Sequence, residues 1–165
     1  MTELPVIFTD LDGTLLDHDT YSAEEARSVL EKVTALGVPV IPATSKTYSE
    51  VIEFRKLMNL PHAFIVENGA ALYVPIESDI RCPMGSKLFE GYWVREFGVK
   101  RQALCDVLEA LDMSGTYQFK SLTDMRSAEV AEITGLDLAA AQRAQQRLYS
   151  ETLDWRDSDQ ALATF

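Results

Sequence analysis

Two carboxylates stand two positions apart in Asp10-Leu11-Asp12-Gly13-Thr14, directly after the apolar run Leu4-Pro5-Val6-Ile7-Phe8-Thr9. Alternate residues of an extended chain face the same side, so a strand ending here projects both acids from one end. Acids held that close need a cation, a proton or a phosphorylated ligand. A calcium loop of the EF-hand type starting at Asp10 would need Gly at its sixth position and Glu at its twelfth. Leu15 and Tyr21 stand there instead, which excludes it. An ordinary acidic turn is the competing explanation, because Asp and Gly are common turn residues. The full string, an apolar strand followed by Asp-Leu-Asp-Gly-Thr-Leu-Leu-Asp17, is far more specific than a turn requires.

Residues 4 to 9 read as a buried strand. Ser22 and Glu25 have capping-box spacing ahead of a helix with Ala26, Val29, Leu30, Val33 and Leu36 on one face and a stop at Gly37. Residues 38 to 43 form a second apolar run, read as a strand despite Pro39 and Pro42. Thr47 and Glu50 repeat the capping box before a helix carrying Val51, Ile52, Phe54, Leu57 and Met58. Residues 63 to 66 are a third strand, and after a turn at Asn68-Gly69 residues 70 to 75 continue as another. Strands alternating with helices predict an α/β fold with a parallel sheet, whose ligands sit at the carboxyl ends of the strands. Those ends carry Asp10 and Asp12, then Thr44, Ser45 and Lys46, then Glu67 and Asn68.

Residues 76 to 98 read as irregular. Helices are expected at 100 to 111, from about 123 to 134 with a stop at Gly135, at 138 to 148 capped by Asp137, and at 158 to 165. Leu153-Asp154-Trp155 reads as a strand. The expected division is a core over residues 1–80 and an α+β module over 81–165.

The chain of 165 residues suits one ordinary domain and is short for two complete ones. A net charge of −11 makes nucleic acid an unsuitable partner. No run approaches the roughly 18 uninterrupted apolar residues of a membrane helix, and the start lacks signal-peptide features. Cys82 and Cys105 form no CxxC pair and read as two reduced thiols, so a cytoplasmic location is expected. His18 and His62 lack ligand-like spacing, and Trp93 and Trp155 read as packing residues.

Phe8-Thr9-Asp10-Leu11-Asp12-Gly13-Thr14-Leu15-Leu16-Asp17 resembles the first motif of the haloacid dehalogenase superfamily phosphatases. The resemblance implies a Rossmann-like core with an inserted cap and a phosphoaspartate mechanism. Asp10 would be the nucleophile, Asp12 the general acid and then base, and Thr44 the hydroxyl of the second motif. Mg²⁺ would be held by Asp10 and the backbone carbonyl of Asp12. Backbone N–H groups after Asp10, and those at the helix start near Lys46 and Thr47, would cradle the phosphate, with Gly13, Thr14, Ser45 and Lys46 as substrate-binding residues.

Ala43 to Thr47 and Val66 to Ala71 are similar to the branch capped after the third strand. Thr134 to Asp137, the Arg143 to Leu148 helix, Tyr149 to Thr152 and Trp155 to Asp157 resemble the mannosyl-3-phosphoglycerate phosphatases. The implied reaction releases phosphate from mannosyl-3-phosphoglycerate to give mannosylglycerate, a compatible solute. Other readings are a phosphatase of another sugar phosphate in that branch and a non-catalytic phosphosugar-binding module. The family's later lysine and acidic motifs would lie beyond Phe165, so core and cap are both expected to lack their C-terminal parts.

Lys46 is either a ligand for phosphate or carboxylate or a surface lysine at a helix start. Glu67 and Asn68 either line the cleft or form a hairpin turn. Arg143, Arg147 and Glu151 are either cap contacts for sugar or glycerate or solvated charges. Within a helix running to 148 the two arginines would share a face. The small phosphorylated sugar is the one partner expected, and the sequence gives no oligomeric state.

Overall fold

The computed structural model describes residues 5–17 and 22–165, in two compact units, Met1–Gly98 and Val99–Phe165. His18 lies outside the described residues.

In the first unit β1 (Ile7–Thr9) runs parallel to β2 (Val40–Pro42), pairing Phe8 with Ile41. A single parallel bridge, Ala43 to Ile65, carries the sheet on to β3 (Phe64–Val66). Pro42 is tolerated because the N–H groups that β2 turns toward β1 belong to neighbouring residues: Ala43 N–H donates to Thr9 O at 2.8 Å. The Val40 N–H is accepted by Nδ1 of His62, 3.2 Å away. Beyond β3 the sheet becomes antiparallel through β4 (Ala71–Pro75), β6 (Tyr92–Glu96) and β5 (Lys87–Phe89), in the order β3-β4-β6-β5. The fold is thus α/β, with a parallel start and an antiparallel extension. Its centre includes Ile41, Ala63 and Val74, with Ile65, Leu72 and Trp93 packed against them.

Helix α1 (Glu24–Ala35) contacts β2, and α2 (Tyr48–Met58) contacts β3. The capping box predicted at Thr47 forms in full. Thr47 Oγ1 accepts from Glu50 N–H at 3.2 Å, and Glu50 Oε2 accepts from Thr47 N–H at 2.8 Å. Behind this start Tyr48, Phe64, Tyr73, Phe89 and Tyr92 pack ring against ring. The buried Arg55 lies over Phe64 and donates to Tyr92 Oη and His62 O.

Several expectations change. The first strand is not buried, and Phe8 is 63% exposed, because β1 pairs on one side alone among the described residues. Ser22 does not cap α1: the helix starts after Ala23, and the Ser22 hydroxyl accepts from Glu24 N–H, two residues on. Val29, Leu36 and Leu57, expected on apolar helix faces, are exposed. Residues 76 to 98 are not irregular throughout. Phe89 pairs with Tyr92 across Glu90 and Gly91, both with positive φ, as in a type I′ hairpin. Because β6 pairs with β4, residues 81–98 group with the first unit, and the division falls after Gly98 instead of residue 80.

The second unit holds α3 (Arg101–Ser114), β7 (Phe119–Ser121), α4 (Ser127–Thr134), α5 (Leu138–Ala144), β8 (Leu153–Trp155) and α6 (Asp159–Leu162). Strands β7 and β8 pair antiparallel, placing Phe119 against Trp155. Leu122, Met125, Val130 and Ala141 form its core. Helix α4 begins at Ser127 rather than near 123, since residues 119–121 pair with β8 and 122–124 make a 3-10 turn. Asp137 caps α5 as expected, accepting from Ala140 N–H at 2.7 Å. That helix stops at Ala144, so Arg147 lies past its end and does not share a helical face with Arg143.

Candidate active site

The chain leaves β1 at Asp10 and turns at once. Leu11 is fully buried, and its carbonyl accepts from Thr14 N–H at 3.2 Å and Leu16 N–H at 2.8 Å. Gly13 has φ +65°, the left-handed conformation that the third position of such a turn demands and glycine adopts without strain. The turn leaves both acids exposed beside the strand end. Asp10 Oδ1 accepts from Leu11 N–H at 2.7 Å. Asp12 Oδ1 lies 2.8 Å from Lys46 Nζ.

Lys46 comes from the loop joining β2 to α2. Its N–H donates to Thr44 Oγ1 at 3.3 Å, and its carbonyl accepts from Glu67 N–H at 3.0 Å. The Thr44 carbonyl accepts from Asn68 N–H at 3.0 Å, and Thr44 N–H donates to Ile65 O. The turn after β3 therefore fastens the loop after β2 by its backbone. Glu67 and Asn68 have φ of +49° and +58°, a conformation that costs a non-glycine residue of order 1–3 kcal/mol. Thr44 is 4% exposed, and its hydroxyl proton can be offered outward because the Lys46 amide donates to the same oxygen. Lys46 Nζ also lies 3.7 Å from Glu50 Oε1. The loop after β1 and the start of α2 thus each bring a carboxylate to one ammonium group.

Residues 7–81 match the family of haloacid dehalogenase-like hydrolases. The chain is 34% identical over 158 residues to a glucosyl-3-phosphoglycerate/mannosyl-3-phosphoglycerate phosphatase of Methanococcoides burtonii, covering 96% of this chain and 58% of that protein. A protein of the same name from Persephonella marina is 35% identical over 149 residues, covering 88% of this chain and 53% of the relative. The chain therefore spans little more than half the length of these relatives. The fold is similar to the crystal structure of a hypothetical protein from Geobacillus kaustophilus HTA426, with a TM-score of 0.60 at 18% identity over 98% of this chain and 62% of the other.

The loop after β1 offers oxygen atoms that could hold a metal ion. Mg²⁺ is commonly held by one or two carboxylates, with water and substrate phosphate oxygens completing its shell. The Asp10 carboxylate and the Asp12 carbonyl fit that demand. An all-protein cage is not formed: among the described residues no three His, Cys, Asp or Glu side chains cluster as metal ligands.

The expected site residues fall into groups. Thr44, Lys46 and Asp12 are linked through Lys46, and Asp10 sits next to them in the same loop as Asp12. Ser45 and Thr14 are exposed, but the Thr14 N–H is already bonded to Leu11 O. In the turn between β3 and β4 Glu67 is buried and Asn68 exposed. In the second unit Arg143 is half-buried in α5, and Arg147 donates to Ser150 Oγ at 2.9 Å. Glu151 is neither a solvated charge nor an open sugar contact. Its carboxylate, 2% exposed, is bonded by Arg101 Nε and by the Thr123 hydroxyl. Arg101 and Thr123 also line a cleft of about 570 Å³ between α3 and β7, with Cys105, Lys120 and Arg156.

Glu50 and Arg101 escaped the sequence reading as site residues. Glu50 could have been found, since it lies four residues after Lys46, the spacing of a helical ion pair. Nothing local marks Arg101 as the partner of Glu151.

Proposed function

We propose that this chain carries the phosphate-ester-cleaving site of a Mg²⁺-dependent phosphatase acting on a small phosphorylated sugar, mannosyl- or glucosyl-3-phosphoglycerate. The observation that carries the reading is the contact of Asp12 with Lys46 beside Asp10 and the Thr44 hydroxyl. The names of the two relatives supply the substrate class. Haloacid dehalogenase-like phosphotransferases generally use Mg²⁺, and the ion shields charge between the phosphate and the nucleophile when bound.

Asp10 attacks phosphorus through one carboxylate oxygen, and the bond from phosphorus to the ester oxygen breaks. Asp12 gives its proton to the departing oxygen. Water then attacks the phosphoaspartate, Asp12 takes the water's proton, and inorganic phosphate leaves with the Asp10 carboxylate restored. A carboxylate is a weak nucleophile, so alignment supplies most of the rate. The Leu11 N–H bonded to one Asp10 oxygen fixes that alignment and leaves the other oxygen to attack. Thr44 donates its hydroxyl to a phosphoryl oxygen, and Lys46 adds positive charge to a chain that is acidic overall.

In the resting site the Lys46 ammonium lies on Asp12. Donation by Asp12 therefore follows only when the phosphate draws the lysine away. The test is phosphate release by the full chain with Mg²⁺ over a panel of phosphosugars, beside Asp10→Asn. Release is expected to be highest on 3-phosphoglycerate glycosides, and Asp10→Asn to lower it by about 10³-fold or more. Retained release in that variant would remove Asp10 from the mechanism. Tight binding without any release would instead favour a phosphosugar-binding module.

A further inference from the structure

The carboxylate of Glu50 has two neighbours of different kinds. One oxygen, Oε2, accepts from the N–H of Thr47 and closes the cap of α2. The other, Oε1, faces Lys46 Nζ at 3.7 Å. Glu50 is 12% exposed and Lys46 14%, so both lie where water screens charge weakly. Because the cap bond fixes the carboxylate to the first turn of α2, its charge beside the lysine is stationary. Asp12, whose Oδ1 lies 2.8 Å from Nζ, is 40% exposed and sits on a turn.

We infer that Glu50 is a positioning residue for Lys46, holding the ammonium on the helix side so that an incoming phosphate can take it from Asp12. This rests on the phosphatase reading of the site. With Asp12 as sole partner, the lysine would lose its whole ion pair on moving to phosphate. With Glu50 in place one carboxylate remains beside it throughout the exchange. The cap and the ion pair are separable by substitution. A glutamine keeps an acceptor for the Thr47 N–H, as capping boxes with Gln do, but removes the charge. An alanine removes both.

The experiment is calorimetric titration of the full chain with inorganic phosphate in the presence of Mg²⁺. Glu50→Gln is expected to weaken phosphate binding about three- to ten-fold, and to have no effect when combined with Lys46→Met. Equal changes in both backgrounds, or none in either, overturn the inference while leaving the phosphatase reading standing. A wild-type chain that binds no phosphate overturns that reading and this inference with it. Where the Lys46→Met variant fails to fold or binds too weakly to titrate, acylation of Lys46 followed by mass spectrometry decides. Glu50→Gln should speed it at least two-fold, and an unchanged rate overturns the inference. Loss of phosphate binding in Glu50→Ala with normal binding in Glu50→Gln assigns Glu50 to the cap alone and also overturns it.

Discussion

Lys46, one residue before the cap of α2, and Arg101, the first residue of α3, each meet a carboxylate, but in different surroundings. Lys46 reaches Asp12, which is 40% exposed, and has Glu50 within 4 Å as a second acid. Arg101 grips Glu151, which is 2% exposed, while its other nitrogen donates to Thr123 Oγ1, itself bonded to Glu151. A compact ammonium on a flexible stem between two acids can change partners. A planar guanidinium in a closed triad cannot do so without stranding a buried charge. The difference teaches that charge pairing alone does not mark a reactive site. On the proposed reading, what marks it is an ion pair with one exposed member and an alternative close at hand.

The largest expected effect tests that distinction directly. Arg101→Met should destabilise the chain by about 3–5 kcal/mol, because it leaves the Glu151 carboxylate buried without its cation. Asp12→Asn, which breaks the other pair, should change stability by less than about 1 kcal/mol, as exposed pairs do. Urea unfolding of both full-length variants measures the pair of values. Similar losses would break the comparison.

That contrast was half legible in the amino-acid sequence. Asp10 and Asp12 at a strand end, the Thr47 box, the Asp137 cap and the strand at Leu153–Trp155 depend on neighbours a few residues away, and all were readable. The contacts that give each acid its role were not. Asp12 meets Lys46, and Glu151 meets Arg101, across stretches whose separation only folding removes. The same applies to burial. Phe8 looks like a core residue until the pairing of β1 is known, and Glu151 looks like a solvated charge until Thr123 is set beside it. The hairpin of β5 and β6 was hidden for a different reason: its turn places Glu90 at a left-handed position, where Asn, Asp or Gly would have announced it.

A smaller effect separates two helix caps. Thr47→Ala and Asp137→Ala each remove an oxygen that accepts a first-turn N–H, and each should cost about 1 kcal/mol of stability. Only the first should also weaken phosphate binding, because the Thr47 hydroxyl accepts from the Glu50 N–H and so helps to hold that residue beside Lys46. Calorimetric titration of both variants with inorganic phosphate checks this. Equal weakening would place phosphate recognition in both units and undo the contrast between them.

The smallest effect is one of pH, and it again divides the two units. In the first, burial and the nearby Arg55 hold the His62 imidazole below its usual 6.5. Its Nδ1 must stay unprotonated to accept the Val40 N–H at 3.2 Å. The unfolded chain therefore takes up this proton more readily than the folded one. The stability His62 contributes is complete above pH 6.5 and drains away as pH falls through the lowered folded value. In the second unit the clearest shift belongs to Glu129. The backbone N–H and guanidinium of Arg126 bring its carboxyl down to about 2, so its contribution is complete above the usual 4.5 and fades only in stronger acid. Between about pH 7.5 and 5.5 the urea midpoint of the wild-type chain should fall, and that of His62→Gln should fall less, since glutamine does not titrate there. Glu129→Gln should keep the wild-type slope in this window. If His62→Gln keeps it too, the imidazole contact with β2 is not what makes the first unit acid-sensitive.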